Sequence, residues 1–168
     1  MHRRLLGLMV VTLALALVAC ETDTPTAKER QELTPAVHTF LVKLAQAYAA
    51  MDTTPLKGIA SPRMMESVRE NMDLVRAGGD RLEPKLLSET ITSMKVLRHT
   101  NAVISVTEVW DTKRIDAMTG QVIGEDKATT LHSHIQLRLV NGSWMVLYRE
   151  VDETARGPRL ILPTPKPE

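Results

Sequence analysis

Cysteine and aromatic residues are scarce in this chain of 168 residues. Cys20 is the only cysteine, so the chain can form no internal disulfide and its fold must be held by packing. Aromatic residues make up 3% of the chain, too few for the stacking platforms that bind single-stranded nucleic acid. The net charge is only +1, and like charges never run for five residues. These shortages argue against nucleic acid as a partner, and no cofactor motif is present, so we expect no cofactor.

The amino terminus contains the longest apolar run, MHRRLLGLMVVTLALALVAC. Arg3 and Arg4 precede it, and no side chain from Leu5 to Ala19 is charged. This order of a basic start and an apolar stretch is typical of a secretory signal peptide. The run of about 15 residues is short for a transmembrane helix, which needs roughly 20. We therefore predict that residues 1–19 are a signal peptide.

The end of this run, Leu17-Val18-Ala19-Cys20, resembles the lipobox of bacterial lipoproteins. The resemblance implies that Cys20 is acylated and becomes the first residue of the mature protein, which anchors it to a membrane. Glu21 follows in place of the Asp that resembles an inner-membrane retention signal. We therefore predict a location in the cell envelope, on the outer membrane and facing the periplasm. The alternative is that Cys20 is an ordinary thiol after a plain signal peptide or an uncleaved anchor helix.

Two helices are predicted after a polar segment. Residues 20–33 have no apolar periodicity and are interpreted as the acylated Cys and a flexible tether. Thr34-Pro35 should begin the first helix, which runs to about Met51, and a short helical piece at residues 56–60 follows. Ser61-Pro62 should begin the second, which Gly78-Gly79 ends. The apolar stripes of the two helices consist of Val37, Phe40, Leu41, Leu44, Ala45 and Tyr48, and of Met65, Val68, Met72 and Val75.

Four long strands are predicted after Pro84, where Val, Ile, Thr and Trp become frequent. Their ranges are 87–98, 102–115, 122–140 and 143–152. Asn141-Gly142 between two apolar runs is a strong hairpin signal, so we predict an antiparallel meander. Residues 34–153 should form one domain, and residues 154–168, rich in proline, an extended tail.

The register of the sheet follows from its turns. A two-residue turn at Asn141-Gly142 pairs Val140 with Ser143, Leu139 with Trp144, Leu137 with Val146 and Ile135 with Tyr148. A four-residue loop at 117–120 pairs Val106 with Leu131 and Ala102 with Ile135. One face of the sheet is then apolar and holds Ala102, Ile104, Val106, Trp110, Ile135, Leu137, Leu139, Trp144, Val146 and Tyr148. The other face is half polar and holds Ser105, Thr107, His132, His134, Gln136, Arg138 and Arg149, with Val103, Met145 and Leu147 among them.

The predicted order of elements gives an α+β fold: two to three N-terminal helices packed on a curved, cone-like, four-stranded antiparallel sheet. Three segments, LVKLAQAYAAMD, VISVTEVWD and HIQLRLVNGSWMVLYREV, resemble the nuclear-transport-factor-2-like superfamily, which includes ketosteroid isomerase and SnoaL-like cyclases. The resemblance covers residues 34–152. It implies a cone whose pocket, in the enzymes, holds a carboxylate or His base and a Tyr or acid that stabilises an oxyanion.

Glu108 and Tyr148 are the candidate catalytic pair. The predicted register places both on the apolar face, with Glu108 opposite Thr129. A carboxylate in apolar surroundings holds its proton more tightly and could act as a general base. The alternative interpretation is that Glu108 pairs with a Lys or Arg, or reaches solvent, and that Tyr148 is a core aromatic.

His132 and His134 are the candidate metal ligands, because they point to the same side of one strand. They could bind a metal if a third ligand joined them, with His99 as the nearest candidate. Arg149, predicted opposite His134, would disfavour a cation there. The alternative is an ordinary pair of surface histidines, and we predict no metal.

The sequence therefore supports two hypotheses. The first, which we adopt, is a non-enzymatic lipoprotein, anchored to the membrane through Cys20, that binds an envelope protein or a small apolar ligand. The half-apolar face of the sheet also offers a homodimer surface. The second is a small pocket enzyme of the isomerase or hydratase type with Glu108 as base. An enzyme needs a deep pocket with converging polar groups, whereas a binding module can have its cone filled by Phe40, Trp110 and Trp144.

Overall fold

A computed structural model describes residues 22–152 of the chain. The predicted signal peptide, Cys20 and the tail at 154–168 lie outside the described residues. The elements in chain order are β1 (Thr22–Asp23), α1 (Ala27–Ala50), a short 3-10 helix (Thr54–Leu56), α2 (Pro62–Ala77), β2 (Asp80–Leu97), β3 (Asn101–Asp116), β4 (Val122–Val140) and β5 (Ser143–Val151). The strands form one antiparallel sheet in the order of the chain. Helices on one face of a long antiparallel sheet confirm the predicted α+β fold.

Helix α1 begins earlier than predicted. Thr26 caps it: the Glu29 amide donates to Thr26 Oγ1 at 3.2 Å, and the Thr26 amide donates to Glu29 Oε2 at 2.7 Å. This reciprocal capping box satisfies two amides that would otherwise lack partners. The prediction of a start at Thr34-Pro35 is wrong, and residues 27–33 of the predicted tether are helical. Pro35 lies inside the helix, at an exposed position.

The core lies between the two helices and one face of the sheet. The predicted stripes are confirmed for the most part, with Met64 more deeply buried than Met65. Phe40, Trp110 and Trp144, from a helix and two strands, all belong to the core cluster. The N-terminal capping of α2 by Ser61 is also confirmed, since Ser61 Oγ accepts from the Met64 amide at 3.2 Å. All three aromatic side chains are buried in the core between the helices and the sheet.

The β4–β5 hairpin follows the predicted register only near its turn. Val140 pairs with Ser143, Leu139 with Trp144 and Leu137 with Val146, as predicted. A bulge at the next position then leaves Leu147 without a partner, so that Gln136 pairs with Tyr148. The predicted Ile135–Tyr148 pair is wrong, because Ile135 faces Arg149.

The β3–β4 register is displaced by two residues from the prediction. Val106 pairs with Ser133 and not with Leu131, and Ala102 pairs with Leu137. Irregularities near Trp110 and Ile115 account for the displacement. Side chains alternate between the faces of a strand, so a displacement by an even number changes partners and preserves faces. The apolar face predicted for β3 is therefore correct, although its pairing is not.

Candidate functional site

Glu108 lies between Val106 and Trp110 of the core and has no exposed surface. The guanidinium of Arg149 donates twice to its carboxylate, from Nη2 to Oε2 at 2.6 Å and from Nε to Oε1 at 3.2 Å. Such two-pronged contacts are the strongest class of side-chain ion pair in proteins. The side chain of Arg149 is itself only 13% exposed. The geometry supports the interpretation in which Glu108 pairs with an Arg.

Two further side chains complete the surroundings of the Glu108 carboxylate. Trp110 Nε1 donates to Oε2 at 2.8 Å, and the Ser133 hydroxyl donates to Oε1. Each carboxylate oxygen therefore accepts two hydrogen bonds. Because all four bonds come from within the protein, the carboxylate is held in one orientation by its neighbours on β3, β4 and β5. This arrangement suits a structural ion pair, since a general base needs an oxygen that can reach a substrate proton.

Tyr148 does not join this cluster. It lies on the outer face of the sheet opposite Gln136 and is 41% exposed. The predicted place of Tyr148 beside Glu108 is therefore wrong, and the bulge at Leu147 is the cause. Arg149, predicted on the outer face opposite His134, takes the interior position, and Glu150 is the residue opposite His134.

Tyr48 of α1 is the tyrosine that approaches the cluster. Burial raises the pKa of the Tyr48 hydroxyl, and the positive charge of Arg149 together with a hydrogen bond from Asn71 oppose this rise. The hydroxyl therefore remains protonated at neutral pH. From the sequence, Tyr48 was recognisable only as a member of the apolar stripe of α1, since nothing in that stripe shows which strand residue faces it.

His132 and His134 lie on the outer face, where both are exposed. His132 Nδ1 lies 3.1 Å from Thr107 Oγ1, and His134 Nδ1 lies 3.0 Å from Ser105 Oγ. His99 is not near them; it lies at the β2–β3 turn and contacts Glu29 Oε1 at 2.8 Å. Within residues 22–152, His, Cys, Asp and Glu form no group of three that could hold a metal ion.

A groove of about 310 Å³ lies between α1 and β2, and one of its lining residues, Glu89, pairs with Glu108 across β2 and β3. Its apolar lining comes from Val37, Ile91 and Met94, and its polar lining from Arg30, Thr34 and Glu89. Glu89 also contacts His38 Nδ1. The groove thus combines an apolar floor with one cation and one carboxylate, a composition suited to an amphipathic ligand or a protein side chain.

A second buried carboxylate, Glu29, should make stability depend on pH. The Thr26 amide lowers the pKa of Glu29 most strongly, His99 lowers it further, and burial opposes both. A carboxylate with a lowered pKa in the folded state stabilises the fold above its unfolded pKa, near 4.5 here, and loses that contribution as the pH falls through the folded value. We expect thermal melting between pH 6 and pH 3, in steps of about half a unit, to show this loss. The Glu29→Gln variant should melt lower at pH 6 and lose less on acidification; equal slopes would contradict the assignment.

Comparison with known proteins identifies the fold. The sequence matches no protein-family model and no curated protein. The intermembrane-space region of the chloroplast protein ARC6 superimposes with a TM-score of 0.63 at 16% identity, over 76% of this chain and 98% of that one. A Mycobacterium tuberculosis protein of unknown function superimposes with a TM-score of 0.52 at 12% identity, over 76% of this chain and 75% of the other. Both likenesses are of fold alone, and they agree with the predicted arrangement of helices on an antiparallel sheet.

Proposed function

We propose that this protein is a lipid-anchored, non-enzymatic binding module of the bacterial cell envelope. The observation that carries the non-enzymatic part is the state of Glu108, whose two oxygens accept four hydrogen bonds from Arg149, Ser133 and Trp110. In the enzymes of the superfamily that the sequence resembles, this interior is where a carboxylate acts as base. Here the same region is occupied by an ion pair and by aromatic side chains of the core.

The sequence supports the anchor. The basic start, the apolar run and Leu17-Val18-Ala19-Cys20 together form the signal and lipidation pattern. Among the described residues, no helix is long and apolar enough to cross a membrane. The domain of ARC6 with the similar fold is described as an intermembrane-space region, which is compatible with a folded module held next to a membrane.

The groove between α1 and β2 is the place where we propose that a partner is bound. Val37, Ile91 and Met94 offer apolar contact, while Arg30 and Glu89 can orient a polar group at the rim. A small apolar ligand or a side chain of an envelope protein fits this composition. The half-apolar outer face, with Val103, Met145 and Leu147 partly buried, is proposed as a surface for a second copy.

The anchor is tested by a Cys20→Ala substitution in the full chain. We expect the wild type to be recovered with the membranes and its intact mass to equal a chain cut before Cys20 plus acyl groups. The variant should lack the acyl mass and leave the membrane fraction almost completely, because several acyl chains provide the stable attachment. A Thr24→Ala variant, changed at an exposed nearby position, is the matched control and should behave as the wild type. An unmodified, soluble wild type would overturn the proposed anchor.

A further inference from the structure

The sheet begins very close to the proposed lipid attachment. Only Glu21 separates Cys20 from β1, and Thr22 of β1 pairs with Leu97 at the end of β2. Two Cα–Cα steps span at most about 7.6 Å. Since β1 runs antiparallel to β2 and Thr22 pairs nearest the β2–β3 turn, the chain enters the sheet from the side of that turn. A lipid on Cys20 must therefore lie at this end of the domain. The flexible tether that the sequence predicts does not separate the lipid from the sheet.

The end of the domain nearest Cys20, here named the turn pole, consists of three features. They are the β2–β3 turn at residues 98–100, the β4–β5 turn at residues 141–142, and the first turn of α1. The contact between His99 Nδ1 and Glu29 Oε1, at 2.8 Å, joins the first of these turns to α1. Trp144 Nε1 donates to Glu32 at 3.3 Å and joins the start of β5 to the same helix. Side-chain contacts to α1 thus hold the two turns together as one surface.

Among the described side chains at and beside the turn pole, the exposed charges are mostly positive. Lys95, Arg98 and Arg138 are exposed and form no ion pair within residues 22–152, and Lys28 is exposed as well. The acidic side chains described there are already engaged: Glu29 with His99 and the Thr26 amide, and Glu32 with Lys28 and Trp144. Unpaired cations beside a membrane attract the phosphates of anionic lipids.

The backbone of the β2–β3 turn supports a special role for this surface. Arg98 and His99 have φ values of 50° and 55°, the left-handed region that residues with a Cβ atom seldom adopt. The other turn of the pole uses Asn141-Gly142, the usual choice for this conformation. A strained turn persists where its surroundings hold it, and here the His99–Glu29 contact does so. As a result, the strained turn holds Arg98 at the tip of the hairpin.

We propose that the turn pole lies directly against the headgroup layer of the membrane, with Lys95, Arg98 and neighbouring cations contacting lipid phosphates. This inference rests on the proposed lipidation of Cys20. In this orientation the β2–β3 and β4–β5 turns face the membrane. Because β3 has 16 residues at about 3.3 Å each, the β3–β4 turn at its far end lies up to roughly 50 Å away along the strand.

The test uses the full lipidated chain in vesicles that contain phosphatidylglycerol. Acylation blocks Cys20, so a single cysteine introduced as Thr100→Cys or as Met118→Cys can carry a fluorescent label. Both positions are exposed, and Met118 lies in the β3–β4 turn with 94% of its surface accessible. With a quencher attached to lipid headgroups, we expect the label at position 100 to lose most of its fluorescence and the label at position 118 to keep it.

Charge and linker variants test the two parts of the inference separately. Reversal of Lys95 and Arg98 to Glu should reduce the quenching at position 100, whereas reversal of Lys113 and Lys127, near the other end of the strands, should not. A Gly-Ser insertion between Glu21 and Thr22 should also reduce it. Quenching that is equal at positions 100 and 118, or absent at both, would overturn the orientation. Quenching at position 100 that is insensitive to the charge of Lys95 and Arg98 would overturn the phosphate contact.

The intact mass of each sample separates the two proposals. A protein that carries no acyl mass contradicts the proposed lipoprotein function itself. An acylated protein without quenching at position 100 contradicts only the inference about the turn pole and would favour a partner other than lipid for its cations.

Discussion

Replacement of Arg149 by Met is expected to destabilise the domain by about 3–5 kcal/mol, because it leaves the charge of Glu108 buried without its counterion. Glu108 has no exposed surface, and the Arg149 side chain is only 13% exposed, so water cannot easily replace the lost contacts. The remaining donors, Trp110 and Ser133, are neutral and compensate only in part. Chemical denaturation followed by circular dichroism measures the change in the free energy of unfolding.

The double variant Glu108→Gln/Arg149→Met distinguishes a buried charge from simple loss of packing. Gln retains an acceptor oxygen for Trp110 or Ser133 and carries no charge, so the double variant should recover most of the lost stability. Arg138→Met, at an exposed position on the outer face of the same sheet, is the matched control and should change stability by no more than about 0.5 kcal/mol. If the double variant is as unstable as Arg149→Met alone, the ion pair is not the cause.

Replacement of Phe40 by Ala should destabilise the domain by a similar amount, about 3–5 kcal/mol. Phe40 is fully buried and is the only phenylalanine in the chain, and it packs in the core cluster that also contains Trp110 and Trp144. Its removal takes away buried apolar surface and leaves a cavity that rigid strands cannot fully close. The measurement is again the free energy of unfolding.

The control for Phe40 is an apolar residue outside the core. Val122 at the start of β4 is 56% exposed, and Val122→Ala should change stability by no more than about 0.5 kcal/mol. A loss of less than about 1 kcal/mol for Phe40→Ala would mean that the cone is not tightly packed around this ring. A loosely packed cone would remove one support for the non-enzymatic proposal, since an open interior is what a pocket enzyme needs.

The sequence by itself determined most of the elements and the faces of most of their residues. The helical stripes of α1 and α2, the Ser61 cap, the Asn141-Gly142 turn and the long strands follow from local periodicity and turn chemistry. Local rules were also sufficient for the true start of α1, because the Thr26–Glu29 capping box lies in the sequence, and Pro35 is tolerated inside the helix. Fold class depends mainly on these local patterns, which is why it was correctly predicted.

Only the tertiary structure decided what surrounds Glu108. The bulge at Leu147 exchanges Tyr148 for Arg149 in the interior, and no local signal in SWMVLYREV marks where the extra residue lies. The physical reason is long-range: a regular hairpin would place Tyr148 in the interior and leave a buried carboxylate without the cation that offsets its cost. Likewise, the pairing of β1 with β2 depends on residues far apart in the chain. Because of this pairing, a short link and not a long tether joins Cys20 to the sheet beside the turn pole.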